Sequence, residues 1–157
     1  MFEKILVCLD GSDLAEEILP YATDEALSHG SRVVLLRVVS RPELTVPISI
    51  PGEPSMPMST EGAARRTREE EEKAVDYLGR IAAPMRKKGL QVECVVLPGT
   101  AGATIVSYAR ENSLGLIAIA THGHGGIRRL VLGSTADYVL HNASLPILVV
   151  RPGKKQG

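Results

Sequence analysis

Aromatic side chains are the scarcest feature of this sequence: no Trp, one Phe and four Tyr in 157 residues. Single-stranded nucleic acids are gripped by stacking bases on such rings, so a base-stacking platform is excluded. An excess of charge of either sign is missing as well. Eighteen Lys plus Arg balance eighteen Asp plus Glu, which leaves no basic field to recruit nucleic acid or an anionic membrane. Every apolar run falls far short of the ~20 residues of a membrane span, and Met1-Phe2-Glu3-Lys4 leads into a strand-like run with no signal-peptide pattern. A cytoplasmic chain with neither nucleic acid nor membrane as partner is therefore expected. The cysteines are Cys8 and Cys94 alone; they fall in separate predicted strands, as reduced core thiols do. His122 and His124 have no Cys, Asp or Glu at ligand spacing, so no metal centre is expected from them. Neither G-x-x-x-x-G-K-[ST] nor G-x-S-x-G occurs, and Gly123-His-Gly125 meets Arg128 where a dinucleotide fingerprint needs a third glycine.

What is present is a regular alternation. Residues 4–9, 32–39, 114–120 and 146–150 are short apolar runs closed by turn residues, the pattern of strands buried on both faces. Residues 91–97 alternate polar and apolar at their start, as an edge strand does. Helical stretches lie between them. The first runs from about residue 13 to His29, capped by Ser12 or Asp13, kinked at Pro20 and stopped by Gly30. Its apolar positions are Leu14, Ile18, Tyr21, Ala22 and Leu27. The second starts near Glu61 and stops at Gly89, with Val75, Leu78, Ile81, Ala82 and Met85 as its buried stripe. There Arg65, Arg66 and Arg68 face the run Glu69–Glu72 at i to i+4 distances, a solvated face held by its own pairs. The third spans 103 to about 112, and the fourth 134 to about 142. Between the second strand and second helix, residues 41–60 carry five of the ten prolines, an excursion longer than an ordinary loop and so suspected of function.

Five strands alternating with four helices predict an α/β fold: a single doubly wound five-stranded parallel sheet, order 3-2-1-4-5, with helices on both faces. The length suits one domain, residues 1–157, able to bury about two thirds of its unfolded surface. Ligands of such sheets bind beyond the strand C-termini, where the winding switches. That point lies between strands 1 and 4, so Asp10 and the glycine-rich segment from Ala120 to Gly133 face each other. Glycines admit peptide N–H groups close to phosphate oxygens, and Ser134 and Thr135 open a helix whose N-terminus carries unpaired donors. A nucleotide fits, its phosphates on the loop and a ribose hydroxyl, a base nitrogen or a bridging Mg2+ at Asp10. The plain alternatives are a turn or cap role for Asp10 and ordinary loop geometry for the glycines.

The whole chain resembles the universal stress protein family. Ile5-Leu-Val-Cys-Leu-Asp-Gly-Ser12 is similar to its first strand and turn. Thr121-His-Gly-His-Gly-Gly-Ile127 with Leu130-Val-Leu-Gly-Ser134 is similar to its nucleotide loop, and Leu145-Pro-Ile-Leu-Val-Val150 to its last strand. The ATP-binding members carry G-x2-G-x9-G-[ST], which falls here on Ala120, Gly123, Gly133 and Ser134. The spacing is kept, but Ala120 replaces the first glycine and His124 a commonly basic position. The resemblance implies an adenine nucleotide alpha hydrolase-like fold and ATP (or ADP or AMP), with Mg2+, as ligand. It implies nucleotide contacts at Asp10, Val38, Ala120, Thr121, His122, Gly123, Gly133, Ser134 and Thr135, with an indirect Mg2+ contact at Asp10 and no catalytic residue. It further implies a homodimer through the last strand, 146–150, and a cytosolic regulatory or sensor role in the stress response. An uncharged apolar edge at Ile147-Leu-Val-Val150 suits such pairing.

Two other readings compete. Ala120 and His124 favour a dimeric interaction module whose nucleotide pocket is vestigial. Thr121-His-Gly-His124 has the T-x-G-H form of nucleotidyl transferases, but it follows the fourth strand and not the first, where that chemistry places it. Hydrolysis of ATP would be slow at most, since no general base besides Asp10 is evident.

Overall fold

The computed structural model describes residues 2–40, 60–121 and 133–151. In chain order these form β1 (Lys4–Cys8), α1 (Asp13–Glu16), α2 (Leu19–His29), β2 (Arg32–Val39), α3 (Thr60–Lys87), β3 (Val92–Pro98), α4 (Ala101–Glu111), β4 (Leu116–Ala120), α5 (Ser134–Asn142) and β5 (Ile147–Val150). The five strands make one sheet in the order β3-β2-β1-β4-β5, parallel throughout. The sheet matches the predicted α/β architecture. Most of the Pro-rich excursion, residues 41–59, lies outside the described residues, and Thr60 already opens α3.

Period-two alternation sends the strand side chains into two cores. Ile5, Val7, Val33, Leu35 and Ala118 pack with Ile18, Ala22 and Ala26 of the α1–α2 region and with Tyr77, Leu78, Ala82 and Met85 of α3. Leu6, Cys8, Val34, Leu36, Ile117 and Ile119 pack with Ile105 and Ala109 of α4 and Ala136 and Val139 of α5. β1, central in the sheet, is covered on both faces, which is why its sequence reads as an unbroken apolar run. β3, at one edge, keeps Glu93 in solvent.

Three local expectations need correction. The first helix does not run through a kink at Pro20 but breaks at Glu17–Ile18, where Glu17 and Ile18 donate to Leu14 and Ala15 (N···O 3.3 and 3.4 Å). A continuous α-helix would press the Pro20 ring on the carbonyl of Glu16; Pro20 instead occupies the first turn of α2, where its missing N–H is no loss. The restarted helix buries Ile18, Ala22 and Ala26, leaving Tyr21 (55% exposed) and Leu27 (47%) outside. In α3, Val75 is 56% exposed, while Ala74 and Tyr77 join Leu78, Ala82 and Met85 inside. Small alanines at helical spacing let α2 and α3 approach the sheet, and bulkier neighbours one step away drew the sequence-based stripe off axis. Of the charge pairs expected on α3, Arg65–Glu69 is formed at 3.5 Å among the described residues; exposed, it contributes about 0.3–0.5 kcal/mol.

Candidate functional site

The sheet order puts the C-terminal ends of β1 and β4 side by side at the winding reversal, and a cavity of about 190 Å3 opens there. Asp10, Val38, Ala120, Gly133, Ser134 and Thr135 line it, six of the nine residues predicted as nucleotide contacts. Cys8, Leu36, Ile105 and Ile119 give it an apolar floor. Thr121 is not brought in. Its N–H donates to the Val150 carbonyl (2.9 Å), carrying the β4–β5 ladder one residue on, and its side chain is buried. His122 and Gly123 lie outside the described residues, as does His124.

Asp10 serves the turn as well as the cavity wall. Its Oδ1 accepts from the Ser12 N–H (2.8 Å) and the Ser12 hydroxyl (2.6 Å), and Ser12 Oγ accepts from the Ala15 N–H (3.1 Å) as the N-cap of α1. Ser12, rather than Asp13, is therefore the cap. The Asp10 side chain is exposed, and its Oδ2 has no hydrogen bond among the described residues.

Val38 contributes backbone. The Leu9 N–H donates to the Leu36 carbonyl (2.9 Å), so Leu36 directs its peptide groups to β1. Peptide groups alternate sides along a strand, so Val38 directs its N–H and C=O the same way. β1 has ended by then, pairing no further than Cys8 with Leu36, while β2 stays paired with β3 to Val39 and Pro98. One donor and one acceptor are left at the cavity rim with no backbone partner among the described residues.

Across the cavity stands the start of α5. Gly133 is its N-cap with φ −56° and ψ 152°, a conformation open to any residue, and as a glycine it has no side chain with which to cap the helix. The N–H groups of the first turn at Ser134, Thr135 and Ala136 have no intrahelical partner and carry the partial positive end of the helix dipole. α4 sends its own uncapped start, Ala101, to the same cavity. The two helices meet closely at Gly102, where an added β-carbon would stand 2.8 Å from the Tyr138 ring.

Ala101, Ile105 and Leu36 are lining residues that sequence reasoning missed, although the parity of β2 and the turn at Gly99–Thr100 carried the signal once the strand order was known. Cys8 sits on the floor, and burial pushes its thiol up to about 12. Roughly one part in ten thousand is thiolate at pH 8, and the thiolate is the reactive form. Cys94, half-buried on β3, is raised by burial, with Arg86 opposing. A thiol-reactive disulfide reagent at pH 8 is expected to titrate Cys94 alone in the folded protein and both cysteines in denaturant; two fast thiols in the folded state would contradict this packing. The raised Cys8 value has a stability consequence. Below an unfolded cysteine's value of 9.0 it has no effect, and between there and about 12 rising pH favours unfolding, because only the unfolded chain releases the proton.

Among the described residues no group of three His, Cys, Asp or Glu could hold a metal ion, and no helix is long and apolar enough to cross a membrane. A sequence model of the Universal stress protein family matches residues 1–151. The chain belongs to the universal stress protein family. Its similarity to the family member MJ0531 of Methanocaldococcus jannaschii is 29% identity, covering 99% of this chain and 86% of the relative. Among solved structures, MJ0577 has a TM-score of 0.80 at 23% identity over 99% of either chain. A family protein of Arabidopsis thaliana with AMP bound has a TM-score of 0.67 at 14% identity over 98% of this chain and 94% of that one. The fold of the universal stress proteins is thus shared at low identity.

Proposed function

We propose that the crevice binds an adenine nucleotide, ATP with Mg2+, and that the chain is a single-domain cytosolic regulatory or sensor protein of the stress response. The carrying observation is the pairing of ends: on one side a backbone donor and acceptor at Val38, on the other a helix start at Ser134–Thr135, both without a partner among the described residues. Adenine offers an amino donor beside the N1 acceptor, the complement of one peptide's C=O and N–H. The ribose hydroxyls would meet Oδ2 of Asp10. The phosphates would take the first-turn N–H groups of α5 and the glycines of the preceding loop, where His122 and Gly123 fall. A cavity of about 190 Å3 is below the ~300–1,000 Å3 of sites that enclose a whole ligand. It would take the base, with the phosphates lying outside over α5. With no acidic cluster among the described residues, Mg2+ would travel with the phosphates and touch Asp10 at most. The AMP-bound structural relative supports the ligand class. Ala120 ends β4 in extended backbone, so its methyl demands no glycine conformation.

Denaturing the freshly purified protein and weighing the released small molecules should show adenine nucleotide, and calorimetry with Mg·ATP should show saturable binding at one site per chain. No nucleotide and no heat would favour the second reading, a dimeric interaction module with a vestigial pocket, for which Ala120 and His124 speak.

Pairing through the last strand belongs to the same proposal. β5 is a sheet edge whose four residues are half-buried in the isolated chain. Pro146 and Val150 turn their carbonyls to β4, so Ile147 and Val149 present their peptide groups outward, ready for a second copy. Sedimentation should give a dimer, and Val149→Lys should give a monomer; a wild-type monomer at micromolar concentration would overturn the pairing.

A further inference from the structure

We infer that Arg37 is a positioning residue for the crevice, clamping from the opposite face of the sheet the turn that presents Asp10; the inference rests on the nucleotide reading above. Arg37 follows Leu36 on β2, so its side chain leaves the sheet on the α2–α3 face, away from the cavity floor. It is half-buried there. A β-carbon built on Gly11 would lie 3.0 Å from Arg37 Cζ and 3.1 Å from each of Nη1 and Nη2. Near-equal distances to three atoms of one plane put that point over the guanidinium face, so the group lies flat against the Gly11 backbone. The same guanidinium sits over the ring of Tyr77, 5.2 Å from its centroid. Tyr77 is 6% exposed and fixed in the core of α3, and Arg80 lies over its ring at 5.8 Å.

Gly11 is therefore required twice. Its φ of +89° is one that side chains rarely adopt, and its β-carbon position is filled by Arg37. The turn it belongs to has few other ties among the described residues. After the Leu9–Leu36 ladder bond, Asp10 and Ser12 bond to each other and Ser12 to the start of α1. The flat cation seats this turn on Tyr77 and so fixes where Oδ2 of Asp10 points. Lysine cannot replace it, since a compact ammonium offers no plane to lie against a backbone.

The test uses the full chain, free and with Mg·ATP. In the free protein, amide exchange at Ser12, whose N–H is held by Asp10, should speed up about tenfold in Arg37→Ala and in Arg37→Lys, with the Leu6 and Val7 amides of β1 unchanged. Affinity for Mg·ATP should fall about tenfold in both variants, the size expected when a contact group is displaced by well under an ångström. In an Asp10→Asn background, Arg37→Ala should cost no further affinity, because it acts through Asp10. Unchanged Ser12 exchange, uniform acceleration of all amides, affinity that survives loosening of the turn, or a full tenfold loss persisting without Asp10 would each overturn the inference. A wild type that binds no adenine nucleotide overturns the nucleotide reading, and with it any role for Arg37 in binding; the exchange measurement then decides only whether Arg37 holds the turn.

Discussion

Gly133→Val is expected to weaken Mg·ATP binding by about 100-fold or more, roughly 2.7 kcal/mol, while leaving the melting temperature and secondary structure unchanged. The backbone at Gly133 has φ −56° and ψ 152°, which valine adopts without strain, and its carbonyl can still accept from the Asp137 N–H (2.9 Å). The backbone of the helix start therefore accommodates the change. The new isopropyl group, however, would stand at the cavity rim directly before Ser134 and Thr135, where the proposed ligand's phosphate oxygens would approach the first-turn N–H groups. Calorimetric titration of wild type and variant, with a thermal melt as control, decides it. Undiminished affinity in a folded variant would remove the phosphate end of the site from α5.

The second large effect is on the ligand side. Mg·ATP should bind at least about 30-fold more tightly than Mg·ITP. Hypoxanthine carries an acceptor where adenine has its amino group and a donor at N1, so in the proposed pose both groups would meet their own kind at Val38. Each mismatched buried hydrogen bond costs about 1–3 kcal/mol, and two together cost about 2–4 kcal/mol after partial rescue by water. Competition of the two nucleotides against a fluorescent ATP analogue measures the ratio. Equal affinities would mean that Val38 does not read the base edge and that the cavity takes purines by shape alone.

The sheet was legible in the sequence because its strands are short apolar runs separated by helical stretches, and one reversal in a right-handed winding leaves few strand orders to consider. Asp10 and the start of α5 were legible for the same reason: the order alone brings them together. The placing of Thr121 was not legible, because a strand's end cannot be read to within one residue, and here the ladder to Val150 extends one step past Ala120. The break before α2 follows from Pro20, but its position depends on which residue yields to the proline ring. Val75, Tyr21 and Leu27 were placed inwards by size, whereas alanines at 22, 26, 74 and 82 set the phase of the buried stripes. The seat of Arg37 on Gly11 and Tyr77 joins β2, the turn after β1 and α3, and no local pattern encodes a contact among three elements so far apart in the chain.

In the proposed function one ligand spans the crevice from Val38 to the first turn of α5. Titration of isotopically labelled protein with Mg·ATP, followed through backbone amide resonances, tests it at both ends at once. The amide signals of Val38 and of Ser134, Thr135 and Ala136 should move together and saturate with a single Kd, while those of Val149 and other distant residues stay still. Saturating ATP that leaves the Val38 and Ser134–Ala136 amides unmoved would contradict the account.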